Sequence, residues 1–192
     1  MIKKKSGPSE RRESLRKEHW AKEDPWTGED EVGWFRAPRT LPLVLALLSS
    51  KAISGKTDPA RVYLELLARH VGEGVIEMAH EAEHAFASGY SGTRAVRTWQ
   101  ERMKILEKNG FIKTKKVGNR QYALVLLVHP TRAVQQLREK KQDKAEVAEA
   151  WWAAYVQRKL ETKEKTFAQR EMKKDQQKVV PIKLGKRSKA AS

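Results

Sequence analysis

Between residues 93 and 109, Val96, Trp99, Met103 and Leu106 recur at steps of three and four. That spacing puts them on one face of a helix. Thr93 is the candidate N-cap, because its hydroxyl can accept a bond from a free N–H of the first turn. Asn109-Gly110 is a stop signal, since glycine takes the left-handed conformation beyond a helix end without steric cost. Arg94, Arg97, Thr98, Glu101 and Lys108 fall on the opposite face, together with Ile105, whose apolar side chain the pattern does not explain. Phe111-Ile112 opens a strand, and Val117-Gly118-Asn119-Arg120 suits a hairpin tip. Residues 120–128 are apolar at successive positions, which predicts a return strand covered on both faces by helices.

The rest of the chain fits around this unit. Residues 1–31 are polar, charged and poor in branched apolar groups, the composition of a disordered arm. Order is expected from residues 32–39, with Trp34 and Phe35 packing on the domain. Thr40 caps a short helix over 41–50, with Pro42 tolerated in its first turn. Residues 51–57 read as a loop; Gly55-Lys56-Thr57 lacks the earlier glycine of a phosphate loop. Asp58-Pro59 starts a helix with Val62, Leu64, Leu66 and Leu67 on a wide apolar face, and Gly72-Glu73-Gly74 ends it. Val75 to Met78 is short enough to be a strand pairing with the hairpin, and residues 79–88 form a further helix. Residues 131–178 contain no Gly or Pro and predict one or two long helices. There Val147, Trp151, Ala154 and Tyr155 share one face, and Trp152, Val156 and Leu160 make a second stripe. Residues 179–192 read as a basic disordered tail.

Charge gives this pattern a partner. The 192 residues carry a formal net charge of +16, which points to a polyanion, most simply nucleic acid. Residues 93–120 hold nine Lys or Arg against Glu101 and Glu107, whereas residues 40–92 are net acidic. A basic helix beside a basic hairpin can neutralise duplex phosphates while aiming side chains at base edges. The plainer reading is a basic surface that only keeps the chain soluble. The absence of cysteine excludes disulfides and thiolate metal sites and fits a reducing cytoplasm. No signal peptide is visible, and the apolar run at 41–48 is far short of the ~20 residues of a membrane span.

From about residue 58 to 129 the chain resembles the winged helix-turn-helix family. Glu83-His84-Ala85 followed by Ala87-Ser88-Gly89-Tyr90-Ser91 looks like the family's second helix and turn. Val96, Trp99 and the run Leu106-Glu107-Lys108-Asn109-Gly110-Phe111-Ile112 look like its recognition helix and the entry to its wing. The chain departs from the pattern at His84, where the family usually has Leu, and in the acidity of the second helix. The resemblance implies a mainly α fold with a small β-hairpin. A winged domain at 32–130 would be followed by a long C-terminal helical extension at 131–178. It also implies sequence-specific binding of double-stranded DNA, with helix 93–109 in the major groove and wing 112–128 on backbone or minor groove. Thr93, Arg94, Arg97, Thr98, Glu101, Arg102 and Lys104 would face DNA from the helix. Arginine can bond bidentately to guanine, and glutamate can accept from cytosine. Lys113, Lys115, Lys116, Asn119 and Arg120 would act from the wing. The roles implied are transcription regulation, or replication or partition of a plasmid or mobile element. A homodimer fits such roles; neither a cofactor nor catalysis is expected.

Two readings from other classes compete. In one, the fold is a scaffold that docks a protein partner through Trp151, Trp152 and Tyr155, because aromatics of this kind anchor interfaces; the plain alternative is that this helix packs back on the domain. In the other, His80-Glu81-Ala82-Glu83-His84 fits H-E-x-x-H, the zinc-hydrolase pattern. Such a site also needs a third ligand and an open fourth position. The nearest offer is Glu101, assigned to the solvent face, and no histidine follows His84 until His129. The plain reading there is a core histidine at 84 and a surface one at 80.

Overall fold

The computed structural model describes residues 7–19, 33, 35–70, 74–140 and 147–164. The chain divides into two units, Met1–Trp34 and Phe35–Ser192. In the first, helix α1 (Gly7–His19) replaces the unstructured arm expected there. Its stabilising signal is charge and not apolar period. Glu10 lies in the first turn and Arg16, Lys17 and His19 in the last, which complements the helix dipole. The rest of the expected arm lies outside the described residues.

The second unit is mainly helical, with one small antiparallel sheet. Helix α2 (Leu41–Ser49) buries Leu41, Val44, Leu47 and Leu48. The loop expected over 51–57 begins instead as a short helix, α3 (Lys51–Ser54), which carries Ile53 into the core. Helix α4 (Ala60–Arg69) starts as its Asp-Pro signal predicts. The Asp58 carboxylate accepts from the Ala60 N–H at 2.8 Å and from the Ser49 hydroxyl at 3.0 Å, so one cap joins two helices. Val62, Leu66 and Leu67 are buried as expected, and Tyr63 joins them. Leu64, placed on that face by the sequence, is 39% exposed.

Strand β1 (Val75–Glu77) precedes α5 (Glu81–Ala87) and α6 (Ala95–Lys108), and the hairpin β2 (Ile112–Val117) and β3 (Arg120–Leu127) follows. The sheet order is β1-β3-β2, with Ile76 opposite Val125 and Thr114 opposite Val125 on its other side. Gly118, at φ +58, opens the two-residue tip, a conformation L side chains rarely adopt. Cover over strand β3 is incomplete. Tyr122, Ala123 and Val125 are buried, but Leu126 is exposed, opposite Val75, which is exposed too. The prediction of helices covering both faces fails at this row, whose side chains reach solvent.

Trp99, Met103 and Leu106 of α6 are fully buried among Tyr63, Leu66, Phe111, Tyr122 and Val125. Trp99 meets Tyr122 edge-on at 5.5 Å between ring centroids, and Tyr63 meets Phe111 likewise at 5.3 Å. Such pairs add to simple area burial. Ile105, unexplained by the helical wheel, is half-buried against this core.

Helices α7 (Pro130–Lys140) and α8 (Glu149–Glu161) complete the unit. Val147 and Tyr155 are buried, Trp151 and Trp152 half-buried, and Ala154, expected on the inner face, is exposed. The Trp151 indole donates to the Leu43 carbonyl at 2.9 Å and stacks on Tyr155 at 5.1 Å. Arg138 lies over the Trp152 ring at 5.4 Å and pairs with Glu149. Val156 and Leu160 of the second stripe are exposed. Helix α8 then closes on a turn in which Lys163 takes φ +52 and the Glu164 N–H donates to the Lys159 carbonyl at 3.0 Å. That turn aims Glu164 back at the domain. Its carboxylate accepts from the Thr40 and Thr131 hydroxyls, each at 2.9 Å. Thr40 therefore does not cap α2 with its side chain, as the sequence suggested, but holds the C-terminal segment. Residues 165–178 of the expected extension and the whole expected tail, 179–192, lie outside the described residues.

Two outcomes follow from this packing. Glu164→Ala leaves two buried hydroxyls without their charged acceptor, and should cost about 1–3 kcal/mol in urea denaturation; Glu164→Gln, which keeps one acceptor, should cost less. A midpoint unchanged in both variants would remove the clasp from the account. The second outcome concerns alkaline pH. Burial, helped by Glu107 and Glu81, pushes the Tyr122 phenol up to about 12, and burial also raises that of Tyr63. In the unfolded chain a tyrosine releases its proton near pH ~10. The contribution is therefore full below that pH and is lost as pH rises from there toward the folded value. Tyr122→Phe should make the loss of stability above pH ~10 shallower, read from denaturant melts; an identical slope in wild type and variant refutes it.

Candidate nucleic-acid interface

Burial of Trp99, Met103 and Leu106 fixes the rotation of α6 about its axis, and so decides which side chains reach solvent. Arg94, Arg97, Glu101, Lys104 and Lys108 emerge on the outer side, and Thr98 is half-buried at its border. The helix begins later than its cap signal implied. Thr93 lies in the preceding turn, no side chain caps the helix, and the Ala95 N–H bonds to Gly92, which sits at φ +82. The glycine turn and not the threonine hydroxyl sets the start. Thr93 is left exposed.

The hairpin is fixed beside α6 by side chains of alternating direction. Ile112 is buried, and the Thr114 hydroxyl donates to the Glu107 carboxylate on α6. Lys113 and Lys115 therefore point to the opposite, open face, consistent with the two-residue period of a strand. The register is irregular between Lys115 and Val117, and Lys116, Val117 and Asn119 are all exposed around the tip. Glu107 is one of only two acids in this basic stretch, and its bond to Thr114 turns its charge toward the helix–hairpin junction.

The candidate cations divide into two groups. Arg102 is half-buried: it donates to the Thr98 carbonyl at 2.8 Å, lies 3.7 Å from Glu101 Oε2, and covers the Tyr90 ring at 4.9 Å. Arg120 donates to the Met78 carbonyl at 3.2 Å and so ties the hairpin to the segment after β1. Arg97 pairs with Glu101 at 3.5 Å, but both side chains are well exposed and such a pair is weak. The side chains of Arg94, Lys104, Lys108, Lys113, Lys115 and Lys116 make no hydrogen bond or ion pair among the described residues. The sequence divides these cations by element, helix against wing, whereas the fold divides them by whether they are bonded within the chain. The commitment of Arg120 joins residues far apart along the chain, which no local pattern displays.

The H-E-x-x-H stretch is arranged otherwise than the helical motif requires. His80 precedes α5 in extended backbone and is exposed, so it does not share a helical face with His84. His84 is 3% exposed, with Nδ1 donating to Glu65 Oε1 at 3.1 Å and its ring stacked on Trp99 at 6.0 Å. Glu81 accepts from Gln100 at 2.7 Å. Glu65 lies on another helix, 19 positions from His84, so no local pattern joins the two. No group of three metal-ligating side chains comes together among the described residues. No described helix is long and apolar enough to cross a membrane. Trp151, Trp152 and Tyr155 form a stack that is partly consumed within the chain, Tyr155 being 2% exposed. Comparison with protein-family models, with curated proteins and with solved structures finds no match to this chain.

Proposed function

We propose that residues 58–129 are a winged helix-turn-helix module that binds double-stranded DNA with sequence preference, α6 entering the major groove and the β2–β3 hairpin serving as the wing. The order α4, β1, α5, α6, β2, β3, with β1 paired to β3, supports this reading. The observation that carries it is the set of exposed cations on α6 and the hairpin that have no acceptor among the described residues. Cations left without partners by their own fold are those that can take up phosphate. In this reading Arg94 and Arg97 read base edges, Glu101 and Thr98 add to that readout, and Lys104, Lys113, Lys115, Lys116 and Asn119 hold backbone. Arg102 and Arg120, already bonded within the chain, brace the surface and do not contact bases. The biological setting we propose is control of transcription, or plasmid replication or partition. Selection of duplexes from a random pool would define the site, and a palindromic result would report a homodimer.

Arg97→Ala should cost about 1–3 kcal/mol on the selected site and relax preference at one position, whereas Lys116→Ala should weaken selected and random duplexes alike. Equal losses on both duplexes for both variants would contradict that division. Affinity should also fall steeply with salt, with a slope of about −0.9 per phosphate contacted. Titration by fluorescence anisotropy across a salt series measures it, and the absence of binding at low salt would overturn the proposal.

A further inference from the structure

The outer face of α4 and the end of α5 enclose a groove of about 610 Å³. Its floor is apolar, formed by Leu64, Ala68 and Ala87. Leu64 is the side chain that the sequence assigned to the core and the fold leaves 39% exposed. Phe86, beside Ala87, is 75% exposed. Two cations border this floor. Arg69 is already neutralised, its Nε lying 2.6 Å from Glu65 Oε1. The Arg61 side chain makes no hydrogen bond or ion pair among the described residues, and its guanidinium lies only 3.3 Å from where a Cβ at Gly89 would stand. Gly89 thus leaves room for a guanidinium at the groove's edge, with donors to spare. None of the lining residues belongs to α6 or to the β2–β3 hairpin.

We propose that this groove docks an acidic amphipathic segment of a protein partner. An apolar side chain would sit on Leu64, Ala68 and Ala87 while a carboxylate pairs with Arg61. A carboxylate can engage guanidinium through two parallel hydrogen bonds, which fixes orientation as well as adding affinity. Laying an apolar stripe into a groove is a common way for one protein to hold a helix of another. The sign of the charge selects the occupant. With Arg69 neutralised by Glu65, Arg61 is the uncompensated charge of the lining, and residues 131–192, with 17 basic against 8 acidic side chains, would bring cation to cation there. A nucleic acid would satisfy Arg61 but leave the apolar floor uncovered. This assignment does not depend on DNA binding.

The test uses the full chain carrying Lys113→Ala, Lys115→Ala and Lys116→Ala, so that the basic hairpin does not capture the probe. The probe is a fluorescent synthetic helical peptide with Leu on one face and Glu elsewhere, followed by anisotropy. Separate Leu64→Asp and Arg61→Ala changes, both at exposed positions, should each weaken binding about tenfold or more. The same peptide with Lys in place of Glu should not bind. Unchanged affinity in both variants, or equal binding of the Lys peptide, overturns the proposal. So does loss of a dimer on Leu64→Asp in sedimentation, which would assign the groove to a second copy.

Discussion

Everything exposed on α6 is decided by what Trp99 buries. Its indole is enclosed between the His84 ring, stacked at 6.0 Å, and the Tyr122 ring, met edge-on at 5.5 Å. Those two partners belong to α5 and β3, so one side chain ties the helix to the element before it and to the far strand of the hairpin after it. A fully buried tryptophan is among the larger contributions a single side chain makes to a core. Rotating α6 to free any outer residue would expose this ring, and Met103 and Leu106 with it. The direction of the basic face is thus a by-product of core packing, not of the charges themselves.

The same logic separates cations that serve the fold from those the fold leaves over. Arg102 and Arg120 are absorbed by carbonyls and by the Tyr90 ring. Arg138 is absorbed by Glu149 and the Trp152 ring. The lysines of the hairpin are left to solvent. Guanidinium, planar and with several donors, suits bracing roles that lysine fills poorly. The acids are distributed in a matching way. Glu65, Glu107 and Glu164 each hold a partner on another element, so the negative charge near the core is structural.

Local patterns exposed much of this architecture. The period of Val96, Trp99, Met103 and Leu106 located α6 and its buried face, and Asp58-Pro59 located the start of α4, because both signals act within one or two turns. The short strand at Val75 and the glycine-led hairpin tip were legible for the same reason. What was not legible depends on distant partners. Leu64 has the composition of a core residue, yet whether a neighbour covers it is set by where α5 lies. Thr40 has the look of a cap, but a carboxylate 124 positions away outcompetes the backbone for its hydroxyl. For the candidate site, the list of basic residues could be read from the sequence, while their division into braced and unpaired could not.

The clasp at Glu164 also bears on how the chain is made. A polypeptide leaves the ribosome N-terminus first at about 5–20 residues per second, so Thr40 waits roughly 6–25 s for the acid it holds. The indole that bonds to Leu43 arrives only shortly before. During that interval the start of α2 lacks the two bonds, one to a carboxylate and one to an indole, that the last described segment supplies to it.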